Sequence, residues 1–286
     1  MRIRSIVSSL ILAALLTAPL AAQRPVVPQP REIAFGAGPL QRLDFYPAAG
    51  AMAPAPLLVF VHGGGWKRGD KRNATGAAKI AHFTGRGYAF ASVNYRLVPD
   101  ARVEDQAQDV ANAIARLIRD AKMLGVDPGR IVLAGHSAGA HLAALVATDP
   151  RYLTRAGVEV ERLKGVVLLD GAAYDVPAQA GEGPAIMRPT YTQAFGTDPA
   201  RQRALSPYFH AAAPNAPRVL ILHVEREDGR RQSEALAAAL RKAGTQAEVR
   251  ALRGRGLRGH MEINRSLGDP DYPGTKIVDD WVDALP

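Results

Sequence analysis

Short apolar runs alternate with helical stretches along most of the chain, and this alternation constrains the fold more than any other feature. The runs occupy residues 57–61, 88–93, 131–134, 166–169 and 219–222. They are apolar at successive positions, which is typical of strands buried on both faces of a sheet. Between the second and third runs, apolar residues recur every three or four positions from Val103 to Leu124, which predicts an amphipathic helix. The pattern predicts an α/β fold with a mostly parallel central sheet and helices on both faces.

Length and composition limit the class of protein to which this sheet can belong. The chain has 286 residues, which suits a single large α/β domain over residues 41–286. Apolar residues make up 47% of the sequence, so general disorder is excluded. There is no Cys, which excludes disulfides, thiolate metal sites and a Cys nucleophile.

The N-terminus differs from the rest of the chain. Arg2 and Arg4 precede an uncharged apolar run over residues 6–16, and small residues follow up to Ala22. This pattern predicts a secretory signal peptide over residues 1–22, cleaved after Ala22. Residues 23–40 are rich in Pro and Gly and predict an extended lead-in. We therefore expect a secreted or periplasmic protein with no stable membrane anchor after cleavage.

The basic charge does not indicate nucleic-acid binding. Lys and Arg exceed Asp and Glu by nine, but they are scattered along the chain. Their one local concentration is Arg250, Arg253, Arg255 and Arg258, and neither a recognition helix nor an aromatic stacking platform accompanies it. We expect a solvated basic surface and no nucleic-acid partner.

The sequence GHSAG follows the third apolar run at residues 135–139 and opens a helical stretch. Ligands of open α/β sheets bind beyond the carboxyl ends of the strands, so this position is suited to a functional site. A G-x-S-x-G sequence between a strand and a helix is typical of a nucleophilic serine held on a sharp turn. The helix N-terminus behind the turn favours developing negative charge. Ser137 is thus the predicted nucleophile.

Three consecutive glycines follow the first apolar run, in the sequence HGGGW at residues 62–66. Residues without side chains allow backbone N–H groups to approach the oxygen of a tetrahedral acyl intermediate. The matching donor is the N–H of Ala138, directly after the predicted nucleophile. A phosphate-binding loop is not indicated, because Lys67 is followed by Arg68 and not by Ser or Thr.

A nucleophilic serine needs a base, and a catalytic histidine is usually oriented by a carboxylate. Of the seven His residues, His260 follows the last strand-like run, residues 247–251, at the end of a predicted Gly-rich loop, residues 254–259. It is the predicted base. The candidate acids are the three carboxylates in the predicted loop between the fifth apolar run and a predicted helix at residues 231–243, with one further candidate at the end of the fourth run. They are Glu225, Glu227 and Asp228, and Asp170.

From about residue 41 to residue 286 the chain resembles the α/β-hydrolases. It is most similar to the carboxylesterase and lipase branch, which includes hormone-sensitive-lipase-like esterases and arylformamidases. The shared motifs are HGGGW at 62–66, VNYRLVP at 93–99, GHSAG at 135–139 and GH at 259–260. The resemblance implies Ser137 as nucleophile and His260 as base. It also implies that Gly64, Gly65 and Ala138 supply the oxyanion N–H groups and that His62 shapes the Gly loop.

The chain departs from the family pattern in two places. Relatives often carry His-Gly-x-x-Asp before the acid, whereas residues 223–228 read HVERED, which puts the usual Asp position on Glu227. Asp is the more frequent acid, so Asp228 is favoured over Glu227. The chain also has few residues before the domain to build an N-terminal cap. The Pro- and Gly-rich stretch at 175–204 is therefore the predicted lid, over a fairly open pocket.

The expected function is hydrolysis of a small-molecule carboxylic ester by a Ser-His-Asp triad, without cofactor or metal. An arylformamidase or amidase would use the same machinery on a different bond. A non-catalytic binding protein with this fold is the alternative from another class, but the intact Ser, His and Gly loop argue against it.

Overall fold

The computed structural model describes residues 27–50, 54–212 and 214–286. The predicted signal peptide at 1–22 and the first residues of the predicted lead-in lie outside these ranges. The strands are β1 (Arg31–Ala34), β2 (Arg42–Tyr46), β3 (Ala55–Val61), β4 (Ala89–Val93), β5 (Val126–His136), β6 (Leu163–Leu169), β7 (Arg218–Glu225) and β8 (Gln246–Arg255). The helices are α1 (Ala77–Gly85), α2 (Val103–Arg119), α3 (Ala121–Leu124), α4 (Ala138–Thr148), α5 (Pro150–Arg155), α6 (Val176–Glu182), α7 (Arg188–Phe195), α8 (Pro199–Ala204), α9 (Glu227–Lys242), α10 (Gly256–Ser266) and α11 (Pro273–Asp283).

The strands form one eight-stranded sheet in the order β1-β2-β4-β3-β5-β6-β7-β8. The pairs β1–β2 and β2–β4 are antiparallel, and all other pairs are parallel. The predicted α/β fold with a mostly parallel sheet is confirmed. Strands β5, β6 and β7 are direct neighbours, so their carboxyl ends meet at one edge of the sheet, where ligands of such folds bind.

Helices cover both faces of the sheet, as expected from strands that are apolar at every position. Helices α2, α4 and α9 pack on one face, where alternate residues of β3 and β5 such as Val59 and Leu133 point. Helices α1, α10 and α11 pack on the other face, against Phe60 and Val132. Burial of these two apolar faces supplies the main driving force for folding.

Two local predictions about the C-terminal half are corrected. Residues 254–259 were expected to form a Gly-rich loop, but they are the end of β8 and the first turn of α10. Gly254 and Gly256 adopt positive φ values of 137° and 54°, which allows the chain to turn there without a separate loop. Helix α9 was expected to begin at residue 231, and it begins four residues earlier, at Glu227.

The predicted lid segment, residues 175–204, contains α6, α7 and α8 joined by short connections. Asp175 and Asp198 begin α6 and α8, where each side chain accepts a backbone N–H of the first turn. The segment is therefore folded and capped, and its action as a lid stays a prediction. Among the described residues, no helix has the length and apolarity needed to cross a membrane.

Candidate active site

Ser137 lies on a strained turn between β5 and α4. Its backbone has φ 55° and ψ −120°, a conformation that non-glycine residues rarely adopt and that often marks functional positions. The turn is held by a hydrogen bond from the Ser137 N–H to the carbonyl oxygen of Leu169 on β6, at 3.0 Å. The glycines on either side are required, because a Cβ at Gly135 or Gly139 would overlap neighbouring backbone atoms. The local sequence thus presents the Ser137 hydroxyl, which is partly exposed.

His260 on α10 lies between Ser137 and a carboxylate. Its Nε2 is 3.0 Å from Ser137 Oγ, and its Nδ1 is 2.6 Å from Oδ2 of Asp170. A carboxylate accepts a hydrogen bond, so Nδ1 carries the proton and Nε2 is free to accept the hydroxyl proton of Ser137. This arrangement is the one that a serine nucleophile and its base require.

Asp170 directly follows β6 and is fully buried. Its φ of 42° is in the left-handed region, and its Oδ1 accepts the N–H of Val224 at 3.1 Å. Burial alone would raise the pKa of this carboxyl group. The hydrogen bond from His260 and the nearby charge of Arg226 outweigh burial and hold the pKa of Asp170 below its ordinary value. The carboxylate is therefore ionised where it faces the imidazole.

The prediction that Asp228 orients His260 is corrected, because the structure does not bring the two side chains together. Asp228 lies in the first turn of α9, and its Oδ2 accepts Nε2 of Gln179 at 3.1 Å. The other candidates after β7 also lie elsewhere, in ion pairs near the surface. Glu225 pairs with Arg255, and Glu227 pairs with Arg230.

Two signals in the sequence favour Asp170 in retrospect. Asp170 directly follows an apolar strand, as Ser137 does, and the last residues of these two strands, His136 and Leu169, pair in the sheet. Glu227, Arg230 and Glu234 are spaced by three and four, which is typical of exposed ion pairs on a helix, and the structure has both pairs. This spacing indicates that α9 has already begun at Glu227, which directs the acids of its first turn away from the base.

His136, directly before Ser137, contacts the back of His260. Its Nε2 is 2.8 Å from the carbonyl oxygen of His260, and the two rings are 4.5 Å apart. Complete burial lowers the pKa of His136 well below its ordinary value, and the proximity of His260 adds to this effect. His136 is therefore neutral and donates its Nε2 proton to the backbone of α10, which fixes the position of His260.

The Gly loop after β3 runs beside Ser137. A Cβ placed on Gly63 would be 2.9 Å from Nδ1 of His136 and 3.1 Å from Cβ of Ser137, so a side chain there would force these residues to shift. Gly64 and Gly65 have φ values of 133° and 62°, which side chains disfavour. Ala138 is the first residue of α4, so its N–H has no acceptor within the helix. The structure thus places the Gly loop and the first residue of α4 beside the nucleophile, and the role of Gly64, Gly65 and Ala138 as oxyanion donors stays a prediction.

The motif at residues 93–99 supports the Gly loop. The Tyr95 hydroxyl donates to the carbonyl oxygen of His62 at 3.0 Å, and the Tyr95 ring stacks on the His62 ring. The Val98 N–H donates to the carbonyl oxygen of Trp66 at 3.0 Å. Burial lowers the pKa of His62 to about 4, so its neutral ring acts as a spacer within the loop.

Trp66 ends the Gly loop and connects it to α4 and to the predicted lid. Its Nε1 donates to Nδ1 of His141 on α4 at 3.2 Å, and Nε2 of His141 donates to the carbonyl oxygen of Leu205 at 2.8 Å. The Trp66 ring also lies 4.7 Å from the Phe195 ring and 6.2 Å from the Tyr191 ring, both on α7. This aromatic contact between the Gly loop and residues 175–204 was not predicted from the sequence.

The described part of the chain contains no group of three or more His, Cys, Asp or Glu side chains arranged to hold a metal ion. The functional groups brought together at the strand ends are the hydroxyl, imidazole and carboxylate of Ser137, His260 and Asp170. Such a set supports nucleophilic acyl transfer.

The relatives found by comparison with known proteins are esterases. The chain is 30% identical to esterase LipC of Mycobacterium tuberculosis over 206 residues, which are 69% of this chain and 51% of that protein. It spans about a quarter to a half of the length of the curated relatives it matches.

Solved structures share the fold. Esterase B from Lactobacillus rhamnosis superposes with a TM-score of 0.75 at 23% identity, covering 91% of this chain and 87% of that one. Butyrate-bound esterase 2 of Thermogutta terrifontis gives a TM-score of 0.71 at 24% identity, covering 90% of this chain and 94% of that one. The family model BD-FAE matches residues 43–240, which include Ser137 and Asp170. The chain belongs to the BD-FAE family, and its fold is that of the α/β-hydrolases.

Proposed function

We propose that this protein is a serine carboxylesterase that acts through Ser137, His260 and Asp170. The observation that carries the proposal is the position of His260, whose two ring nitrogens contact the Ser137 hydroxyl and the buried Asp170 carboxylate at 3.0 and 2.6 Å. The strained backbone of Ser137 supports it, because the surrounding structure must maintain such a conformation. The acid of the proposed triad thus follows β6, not β7.

In the acylation step, Ser137 Oγ attacks the acyl carbon of the ester while Nε2 of His260 accepts the hydroxyl proton. The carbonyl oxygen becomes an oxyanion, and the N–H groups of Gly64, Gly65 and Ala138 are the proposed donors to it. Collapse of this intermediate breaks the bond to the alcohol oxygen, which takes the proton from His260. The products are the free alcohol and an acyl ester of Ser137.

In the deacylation step, a water molecule attacks the acyl carbon and His260 accepts one of its protons. The second tetrahedral intermediate collapses with release of the Ser137 oxygen, which recovers its proton from His260. The carboxylic acid leaves and the enzyme is regenerated. Throughout both steps the Asp170 carboxylate stabilises the imidazolium form of His260 and keeps its Nδ1 protonated.

The proposed substrates are small-molecule esters. The relatives named above are esterases, and one of them is a butyrate-bound structure, which supports short acyl groups as the first substrates to test. The partly exposed Ser137 is consistent with a site that such esters enter from solvent. Amide cleavage, as in arylformamidases, would use the same atoms with a poorer leaving group, so the assay must include both bond types.

The decisive experiment combines active-site labelling with kinetics. A fluorophosphonate is expected to label the protein once, and p-nitrophenyl butyrate is expected to be hydrolysed. Both properties are expected to disappear in Ser137→Ala, whereas Ser233→Ala on α9 serves as a matched control and retains them. Labelling or full activity in Ser137→Ala would overturn the proposal, and faster hydrolysis of a p-nitroanilide than of the matching ester would reassign the protein as an amidase.

We also propose export of the protein, on the basis of the signal-peptide pattern in residues 1–22. Protein recovered from the periplasm or medium of an exporting host is expected to begin near Gln23. N-terminal sequencing measures this directly. An intact Met1 form recovered from the soluble cytoplasm would contradict it.

A further inference from the structure

Arg226 lies against the side of Asp170 that does not face Val224. Its Nε is 3.2 Å from Oδ2 of Asp170, the same oxygen that contacts His260, and its side chain is only 17% exposed. Arg226 occupies the segment between β7 and α9, in which the sequence pattern places the acid of many relatives. In this chain, Arg226 after β7 therefore places a cation beside Asp170, the acid that follows β6.

The contact between Arg226 and Asp170 is an ion pair and not a directed hydrogen bond. Nε and Nη2 of Arg226 are buried, yet neither finds a hydrogen-bond acceptor with suitable geometry among the described residues. Nη2 is also 3.7 Å from Oδ2 of Asp228, which partly offsets the charge. The guanidinium therefore acts on Asp170 mainly through its charge, at a depth where solvent screens it weakly.

Gly229 makes room for this ion pair. A Cβ at this position of α9 would be 3.1 Å from Nη2 of Arg226 and 3.2 Å from Oδ1 of Asp170, closer than side chains usually approach. The first turn of α9 is thus shaped so that Arg226 and Asp170 stay in contact. Helix α9 serves the site although it supplies no member of the proposed triad.

We propose that Arg226 is a positioning residue of the active site, whose charge keeps the Asp170 carboxylate ionised and oriented toward His260 and so sets the lower pH limit of activity. The inference rests on the proposed function, in which Asp170 and His260 act with Ser137. It goes beyond that function because it assigns a role to a residue that contacts neither the substrate nor the nucleophile.

Other charged and titratable groups surround this pair and contribute to the electrostatic potential at Asp170 and His260. The neighbouring groups are His136 on β5, Lys79 on α1, Tyr174 after β6, Asp228 on α9, Glu262 on α10 and Tyr272 before α11. Of these, Lys79 donates to the side chain of Asn264 on α10 at 3.0 Å, and burial lowers the pKa of Lys79 to about 7. Arg226 is the cation that directly contacts the Asp170 carboxylate.

The direction of the pH effect follows from the sign of the charges. Without Arg226, the negative charge of Asp170 is no longer offset, so the imidazolium form of His260 is better stabilised and the free base forms only at higher pH. Asp170 also becomes easier to protonate, which again removes activity at low pH. Both effects move the acidic limb of kcat/KM upward, and the loss of a charge within a few ångströms of a titrating pair typically has an effect of about one pH unit.

The test compares the pH profiles of kcat/KM for wild type, Arg226→Met, Arg226→Lys and Arg230→Met, after Ser137-dependent hydrolysis has been established. Arg226→Met is expected to move the acidic limb up by about one pH unit, with a roughly tenfold loss of kcat/KM below it. Arg226→Lys keeps the charge and is expected to restore the wild-type limb. Arg230→Met is the matched control, because it removes an equal charge from an exposed ion pair on the helix that follows Arg226, and its limb is expected to stay in place.

A role in packing alone would lower kcat/KM equally at every pH, so an unmoved limb in Arg226→Met would overturn the proposal. A limb that moves equally in Arg226→Met and Arg226→Lys would also overturn it. Titration of the His260 ring by nuclear magnetic resonance in the same variants gives a readout without turnover. Its midpoint is expected to rise in Arg226→Met even if the natural reaction is not ester hydrolysis, which separates failure of this inference from failure of the proposed function.

Discussion

Replacement of Asp170 by Asn is the change that most directly tests the active site. Oδ1 of Asp170 accepts the Val224 N–H at 3.1 Å, so the Asn carbonyl oxygen fits best at that position. The amide NH₂ then faces Nδ1 of His260, which must accept a hydrogen bond where it previously donated one. The imidazole is thereby held in the tautomer with its proton on Nε2, and it cannot accept the proton of Ser137.

The opposite orientation of the Asn side chain is also unfavourable. It would place the amide NH₂ against the Val224 N–H, so that two donors face each other in a buried site. Neither orientation supplies the negative charge that stabilises the imidazolium. In the general Ser-His-Asp template, this substitution lowers kcat by about 10⁴-fold, which corresponds to about 5 kcal/mol of lost transition-state stabilisation. We expect an effect of that size in Asp170→Asn.

The assay is steady-state hydrolysis of p-nitrophenyl butyrate, with circular dichroism to confirm folding. Asp228→Asn is the matched control, because Asp228 contacts Gln179 and Arg226 but not His260, and its kcat is expected to change less than about threefold. Glu225→Gln and Glu227→Gln are likewise expected to be mild. A severe Asp228→Asn beside a mild Asp170→Asn would refute the reasoning and return the acid to the segment after β7.

Two further predictions concern the Gly loop and the buried lysine. Gly65→Ala is expected to lower kcat by about 10²–10³-fold, because it disturbs an oxyanion donor. Gly244→Ala is the control, since Gly244 also has a positive φ but open space around it, and this variant is expected to keep normal kcat. Equal kcat values for the two variants would contradict the assignment of the Gly loop. Burial lowers the pKa of Lys79 from 10.5 to about 7, so the unfolded chain binds more protons between these values and wild-type stability rises with pH there. The free energy of unfolding of wild type and Lys79→Met is measured in urea at pH 7.0, 8.5 and 10.0. The difference between the two free energies is expected to change by up to about 1 kcal/mol per pH unit. A difference that is the same at all three pH values would contradict this prediction.

Much of the site could be predicted because it follows the carboxyl ends of strands that the apolar pattern identifies. The GHSAG sequence fixes the turn at Ser137 through glycines that no other residue can replace. His260 is the one histidine in the sequence that follows the last strand-like run, from where the chain can return to the sheet edge. These positions depend on local backbone requirements, which glycines and strand ends make recognisable in the sequence.

The acid was not predictable in the same way, since four carboxylates follow two neighbouring strands. Which of them reaches His260 depends on the backbone conformation of a single residue, and Asp170 reaches it from a φ of 42°. Strand and helix periodicity carries no information about such a conformation. The Gly-rich segment 254–259 was misassigned for a related reason, because the same glycines are compatible with a loop and with the start of a helix.

The aromatic contact of Trp66 with α7 has a consequence for any attempt to alter substrate range by exchanging residues 175–204. Phe195 joins that segment to Trp66, the residue that ends the Gly loop, through the 4.7 Å ring contact, and the 3.2 Å hydrogen bond to His141 holds Trp66 against α4. A transplanted segment that lacks an aromatic side chain at position 195 would leave Trp66 without support and shift the backbone that Gly64 and Gly65 share with it. If residues 175–204 cover the substrate and the Gly loop binds the oxyanion, as we propose, such an exchange is expected to change turnover together with substrate range, and a chimaera that keeps Phe195 is expected to lose less activity.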